Sequence, residues 1–173
     1  MTLGWQSLLS AIFPALVIVA ALKDATSFTI PNWISLALVA AFAPVALVCG
    51  VSLGAMGLAF GVGAVALLAG MAMFAFGWIG GGDAKLLAAS AVWVGWPAVL
   101  PFVVFTALCG GALAVGLLGL RSMWLRPITV RSPPWLERLA TPGESAPYGV
   151  AICAGALATF PDGVVAQAIS LLG

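Results

Sequence analysis

The sequence predicts an all-α, polytopic integral membrane protein with about six transmembrane helices in a single domain, residues 1–173. Hydrophobic residues make up 64% of the chain and charged residues only 6%, whereas soluble domains carry about a quarter charged residues. The apolar residues form continuous runs, which favours helices because the strands of membrane β-barrels alternate polar and apolar side chains. The net charge of +1 argues against nucleic acid as a partner.

The first apolar run covers residues 5–22. A cleaved signal peptide is the alternative, but such peptides carry basic residues ahead of their apolar core. The first basic residue here, Lys23, follows the run, so we expect an uncleaved first span. Residues 23–32 then form a short polar turn, in which Pro31 disfavours helix at the residue before it and Asn32 is a plausible cap for the next helix.

Further apolar runs predict the other spans. The second span covers about residues 33–49 and the third about residues 53–78. Tight helix packing is the interpretation of five glycines in the third span: Gly54, Gly57, Gly61, Gly63 and Gly70. Gly57 and Gly61 are four residues apart, a spacing that lets helix backbones approach closely. We also expect a short interfacial helix near residues 135–139. The three remaining runs are residues 86–96, 101–120 and 147–160.

The charged residues predict the orientation of these spans. Six spans place residues 23–32, 80–85 and the one sizeable loop, 121–146, on the same membrane face, and all six Lys and Arg residues fall in these three segments. The positive-inside rule makes that face cytoplasmic. Asp24 and Asp83 therefore come to one face, although 59 positions separate them in the sequence.

The most informative stretch is Gly80-Gly81-Gly82-Asp83. Glycines remove side-chain bulk and allow another backbone to come close. An ionisable residue beside membrane spans is costly and is by default a candidate functional residue. The stretch lacks the spacing of a phosphate-binding loop and follows no predicted strand. We therefore interpret Asp83 as one half of a pair of carboxylates, with Asp24 as the other half.

Two neighbouring carboxylates can hydrolyse a peptide bond. They repel each other, so the pair shares one proton. The ionised member takes a proton from water, and the protonated member polarises the scissile carbonyl. This chemistry needs no metal and no cofactor. The alternatives are a solvated loop acid for Asp24 and a charge that stabilises the next helix for Asp83.

Other catalytic classes fit less well. The chain contains no histidine, which excludes Ser-His and Cys-His catalysis and His-ligated zinc. A Ser-Lys pair is conceivable between Lys23 or Lys85 and Ser27 or Ser90, but no spacing singles out one serine. Three scattered cysteines are interpreted as small buried hydrophobic residues: Cys49, Cys109 and Cys153.

The chain resembles the prepilin peptidases, or type IV leader peptidases, which are polytopic aspartic proteases with a Gly-x-Gly-Asp motif. Gly80, Gly82 and Asp83 match that motif, and Lys85 belongs to a continuation that is similar to the family. The family's other aspartate lies shortly before an Ile/Leu-Pro-Asn/Asp element.

Two further elements extend the resemblance over nearly the whole chain. Five residues separate Asp24 from Ile30-Pro31-Asn32, which matches this arrangement. Pro147-Tyr148-Gly149 is similar to the opening of the family's last helix. The resemblance implies that Asp24 and Asp83 are catalytic.

The resemblance also implies the substrate, which is a prepilin or pseudopilin with a short basic leader that ends in glycine and precedes an apolar helix. Cleavage after that glycine would occur at the cytoplasmic face of the bacterial inner membrane. The first loop is short and has no cysteine, as in the compact, peptidase-only type that serves Flp (tight-adherence) pili. Lys85 is either an anchor for an acidic substrate residue or an ordinary positive-inside charge. The loop 121–146 is a candidate contact for the leader or for anionic lipid.

Two rival functions remain open at this point. Carboxylates in membranes also relay protons, so a small proton-coupled transporter would fit Asp24 and Asp83. A non-catalytic subunit of a pilus or secretion assembly would fit the composition equally well. Cleavage of a purified prepilin separates these functions from a peptidase.

Overall fold

The computed structural model describes residues 2–121, 134–141 and 144–172, and every regular element within them is helical. The predicted all-α fold of a polytopic membrane protein is confirmed. In chain order the α-helices are α1 (Thr2–Ser10), α2 (Ile12–Ser27), α3 (Asn32–Val48), α4 (Leu53–Ala75), α5 (Gly81–Val94), α6 (Val99–Leu120), α7 (Pro134–Ala140), α8 (Tyr148–Thr159) and α9 (Val164–Leu172). One turn of 3₁₀ helix, Phe160–Asp162, joins α8 to α9.

The predicted spans differ in length. Among the described residues, four helical stretches are long and apolar enough to cross a membrane: Gly4–Ser27, Leu53–Ala75, Val99–Leu120 and Tyr148–Leu171. Helix α3 is apolar but has 17 residues, and α5 has 14. At about 1.5 Å per residue, α5 is roughly 21 Å long, whereas the hydrocarbon core of a bilayer is about 30 Å thick. The six predicted spans therefore comprise four helical stretches of full membrane-spanning length and two shorter helices, α3 and α5.

The first long stretch is interrupted at Ala11. Pro14 has no N–H to donate to the carbonyl of the residue four positions earlier, which weakens the helix at this point. The predicted first span over residues 5–22 is thus two helical segments, and the second continues to Ser27.

The polar turn predicted over residues 23–32 is shorter than expected. Residues 23–27 belong to α2, because polar side chains there are satisfied within the helix: the Ser27 hydroxyl donates to the Lys23 carbonyl at 2.6 Å. The helix ends where Phe28 adopts a left-handed conformation with φ of 54°. Asp24 therefore lies in the last turn of a long helix rather than in a loop.

Helix α5 is the central element of the fold, and ten of its 14 residues are buried. Near its C-terminal end, Trp93 stacks on Phe13 with ring centroids 5.3 Å apart and meets Phe42 edge to face at 5.6 Å. The Trp93 indole N–H donates a 2.8 Å hydrogen bond to the Leu38 carbonyl. Because α5 is surrounded by other helices, the side chain of Asp83 in its first turn is also enclosed.

Close packing of α4 against α5 depends on two of the five glycines that were predicted to pack tightly. The prediction for Gly57 and Gly61 was wrong, since a Cβ at either position would meet no atom within 4 Å. A Cβ at Gly70 would instead lie 3.0 Å from the Ala84 Cβ, and one at Gly63 would collide with the Val92 side chain. Gly63 and Gly70 lie two turns apart and so occupy the face of α4 that α5 covers.

The bundle has two distinct ends. At one end, the Gln6 side chain donates to the Val48 carbonyl at 3.1 Å, and Gly95 lies against Val164. The other end carries the C-terminus of α2 and the N-termini of α5 and α8. The basic residues among the described part of the chain lie at this second end: Lys23, Lys85, Arg121 and Arg138.

The predicted loop over residues 121–146 is described only in part. The short helix expected near residues 135–139 is confirmed as α7. Arg121 donates from Nε to the Leu139 carbonyl at 2.9 Å, and the Arg138 guanidinium lies 4.8 Å from the centre of the Phe28 ring. These contacts hold α7 against the ends of α6 and α2. The rest of this loop, which includes Arg126 and Arg131, was predicted to contact the leader or lipid. That prediction lies outside the described residues.

Candidate active site

Asp24 is held inside the bundle by the first turn of α8. Its side chain is 6% exposed, and its Oδ2 accepts a 2.7 Å hydrogen bond from the Gly149 N–H. The N–H groups of a helix's first turn have no partner within the helix and favour a negative charge. Gly149 therefore offers a position where a buried carboxylate is stabilised.

Asp83 lies in the first turn of α5, where one of its oxygens supports the helix. Oδ2 accepts a 3.1 Å hydrogen bond from the Gly80 N–H, as an acid three residues after the cap commonly does. Asp83 therefore does stabilise the start of α5, which was the alternative to a catalytic role. It does not account for the whole side chain, because Oδ1 is buried and has no hydrogen-bond partner among the described residues.

Ile30 packs between the first turn of α5, which carries Asp83, and the first turn of α8, which binds Asp24. A Cβ at Gly82 would lie 3.2 Å from the Ile30 Cβ and 3.5 Å from its carbonyl oxygen. A Cβ at Gly149 would lie 2.9 Å from the Ile30 Cδ1. The loop after α2 therefore touches the glycine stretch on one side and the start of α8 on the other, and both contacts require glycine.

The two acids interact electrostatically. Asp83 precedes the apolar part of α5 and lies outside the four helices that are long enough to cross a membrane. The pKa of Asp83 is raised from 3.8 to about 7, mainly by burial and next by the charge of the Asp24 carboxylate, while the hydrogen bond from the Gly80 N–H acts in the opposite direction. An acid whose pKa depends on a second buried acid is the arrangement in which one proton can be shared.

The remaining predicted residues lie on another side of α5. Lys85 is exposed, and its Nζ donates a 2.9 Å hydrogen bond to Oδ1 of Asn32. The prediction that Asn32 caps α3 was wrong: Pro31 occupies the cap position and Asn32 is the first residue of the helix. Asn32 and Lys85 line a cavity of about 450 Å³ that Asp83 does not line. Lys85 and Asp83 thus face different grooves although they are two positions apart.

Each glycine of the motif leaves room for a different neighbouring group. A Cβ at Gly80 would lie 2.9 Å from Oδ2 of Asp83, so a side chain there would displace the carboxylate. Gly82 makes room for Ile30, as described above. Gly149 was not among the predicted site residues, although it stands in the Pro147-Tyr148-Gly149 element. Its hydrogen bond to Asp24 joins segments that no local pattern relates.

Metal ligation has little support in the site. No group of three or more Cys, Asp and Glu side chains close enough to hold one ion occurs in residues 2–121, 134–141 and 144–172. The arrangement offers two buried carboxylates, backbone N–H groups that orient one oxygen of each, and one carboxylate oxygen that is left free. Such a group can bind and activate a water molecule.

Comparison with known families decides the class of protein. The model of the type IV leader peptidase family matches residues 11–115, which is more than half of the chain and includes both acids. The chain belongs to the type IV leader peptidase family. No curated protein and no solved structure is significantly similar to it. As a type IV leader peptidase it is a membrane-embedded peptidase that acts on prepilins. The Tyr148–Gly149 element of this leader peptidase lies beyond the matched residues.

Proposed function

We propose that this leader peptidase is an aspartic endopeptidase that uses Asp24 and Asp83 to cleave type IV or Flp prepilins after the glycine that ends their leader. The observation that supports the proposal is the electrostatic interaction between two buried acids from distant segments. Asp24 is oriented by Gly149, and Asp83 keeps one oxygen free while its pKa responds to the charge of Asp24.

The reaction follows from a shared proton. The ionised carboxylate removes a proton from a water molecule, and the resulting hydroxide bonds to the scissile carbonyl carbon. The protonated carboxyl donates its proton to the carbonyl oxygen, which forms a tetrahedral intermediate. When the C–N bond breaks, the carboxyl that took the proton from water passes it to the leaving amine, and the other carboxylate removes a proton from one hydroxyl of the tetrahedral intermediate, which becomes the carboxylic acid product. One carboxylate and one carboxylic acid remain at the end, so the pair is regenerated.

The charges of the bundle support a cytoplasmic location for this chemistry. The described basic residues lie at the end of the bundle that contains Asp24 and Asp83. Basic residues mark the cytoplasmic ends of membrane helices. A prepilin whose apolar helix is in the bilayer of the bacterial inner membrane presents its leader junction at the same level. The site is therefore suited to cutting the leader before the pilin enters a filament.

The test is cleavage of a synthetic prepilin by the purified protein in lipid nanodiscs. We expect Asp24→Asn and Asp83→Asn each to lower kcat by roughly 100- to 10,000-fold, the range of general acid–base catalysis. An asparagine oxygen can still accept the hydrogen bonds from Gly149 and Gly80, so both variants should fold. Asp162→Asn is the matched control, since Asp162 is exposed at the opposite end of the bundle.

The outcomes separate the rival functions. Full cleavage by a folded Asp24→Asn or Asp83→Asn variant would rule out the carboxylate pair as the catalyst. A wild-type protein that leaves the leader uncut, but carries protons into liposomes in a manner that depends on both acids, would be a transporter. A protein that does neither would be an assembly subunit.

A further inference from the structure

A second cavity adjoins Asp83 and takes no part in the chemistry described above. It has a volume of about 260 Å³ and lies between α5 and α6, with α4 and α8 completing its walls. Asp83 and Leu87 line it from α5, and Ala107, Gly111 and Ala114 line it from α6. We call it the α5–α6 cavity.

The walls of the α5–α6 cavity select an apolar occupant. Asp83 and Tyr148 are the ionisable residues that line it, and most of its other lining side chains are aliphatic or absent. Its volume exceeds that of an engineered apolar cavity of about 150 Å³ that binds benzene. A large aliphatic or aromatic side chain therefore fits. A basic side chain would have to give up its hydration, and Asp83 is the one carboxylate among the described lining residues that could pair with it.

The cavity is also accessible from the side of the bundle. Ala107 and Gly111 are exposed on the outer surface of α6, where the bundle meets lipid. A Cβ at Gly111 would meet no atom within 4 Å, so this part of the wall is open. A helical substrate in the bilayer could approach along α6 and insert a side chain without displacing any helix.

The cavity is continuous with the proposed catalytic group. Asp83 belongs to both, and its Oδ1 is buried and has no partner among the described residues. A substrate whose scissile carbonyl lies beside Asp83 has its next side chain within reach of the cavity. The basic leader lies on the other side of the scissile bond, away from these apolar walls.

We propose that the α5–α6 cavity binds the first apolar side chain after the scissile bond, so that its size sets the preference of the peptidase at that position. This inference rests on the proposed function. It assigns to Ala107, Gly111 and Ala114 the role of leaving room for a large substrate side chain. None of these three residues takes part in the proton transfers.

The test fills the cavity from α6. Gly111→Leu and Ala114→Leu add side chains at the wall of the cavity, while Gly116→Leu is the matched control. Gly116 is also exposed, has open space around it and lies outside the cavity lining. Two synthetic prepilins would be compared, which differ only in having leucine or alanine directly after the leader glycine. The value of kcat/KM would be measured in nanodiscs for every combination of enzyme variant and substrate.

Wild type and Gly116→Leu should prefer the leucine substrate. In Gly111→Leu and Ala114→Leu, the ratio of kcat/KM for leucine over alanine should fall by roughly tenfold or more, the size of effect that one apolar pocket exerts. Activity on the alanine substrate should fall less than activity on the leucine substrate, because alanine occupies less of the cavity.

Two results would overturn the inference while leaving the proposed function intact. One is an unchanged leucine-to-alanine ratio in both filling variants. The other is an equal loss on both substrates, which would indicate a structural role or a lipid acyl chain in the cavity. If wild type cuts neither substrate, the proposed function fails and this inference fails with it.

Discussion

The Gly149 N–H donates a 2.7 Å hydrogen bond to Oδ2 of Asp24, across 125 positions of the sequence. This bond connects the end of α2 to the start of α8 and fixes one oxygen of a buried acid. A side chain at position 149 would occupy the space of the carboxylate, because its Cβ would lie 2.9 Å from that oxygen. The identity of residue 149 thus controls the position of Asp24.

Replacing Gly149 by alanine should therefore inactivate the peptidase without removing an acid. The added methyl would push the Asp24 carboxylate away, and a displacement of about 1 Å can cost roughly 100-fold in rate. Overpacking should also lower the free energy of unfolding by about 1–3 kcal/mol. Cleavage of a synthetic prepilin and thermal unfolding in detergent micelles would measure the two effects. Gly116→Ala, in open space on α6, is the control, and wild-type kcat in Gly149→Ala would contradict the steric argument.

The glycine stretch before Asp83 should tolerate substitution unevenly. At Gly80 a Cβ would lie 2.9 Å from Oδ2 of Asp83, whereas at Gly81 it would meet the Phe74 ring at an ordinary 3.5 Å. We expect Gly80→Ala to lower kcat by roughly 10- to 100-fold. Gly81→Ala should retain activity and stabilise the first turn of α5 by up to about 1 kcal/mol, since alanine is the better helix former.

The same cleavage and unfolding measurements check this contrast between neighbouring positions. The two variants are well matched because each adds a single methyl group at one of two adjacent positions at the start of α5. Equal losses at the two positions would show that this segment needs backbone flexibility, rather than space beside the carboxylate.

Cleavage should fall as the pH rises through about 7. Burial and the neighbouring Asp24 charge raise the pKa of Asp83 from 3.8 to about 7. Below that pH Asp83 holds a proton that the pair can share, and above it both carboxylates become charged and the acid is lost. A pH profile of kcat between pH 5 and pH 9, on one synthetic prepilin, would measure the effect. The apparent pKa describes the pair rather than either residue. A rate that keeps rising to pH 9 would contradict a shared proton.

The core around α5 gives a stability prediction that is independent of catalysis. Trp93→Phe removes the indole N–H that donates to the Leu38 carbonyl at 2.8 Å and leaves a small void beside Phe13. The free energy of unfolding should fall by about 1–3 kcal/mol. Trp96→Phe is the matched control, because the Trp96 side chain is 57% exposed. Equal stability of the two variants in chemical denaturation would show that the buried hydrogen bond contributes little.

The sequence determined the membrane class, the helical fold and the two acids that deserve testing. These features depend on composition, on the lengths of apolar runs and on charge, which are properties of the chain itself. The helix near residues 135–139 was predicted for the same reason. The end of α2 was predicted less well, since the Ser27 hydroxyl finds its partner inside the helix and so does not terminate it.

Only the tertiary structure decided which glycines matter and what Asn32 does. Gly57 and Gly61 have the spacing of a packing motif, yet α5 lies against Gly63 and Gly70. Asn32 has the chemistry of a helix cap, yet its side chain accepts a hydrogen bond from Lys85 across 53 positions. Gly149 likewise acquires its role from Asp24. Spacing along a chain specifies one face of one helix, but the partner of that face is set by the packing of all the helices together.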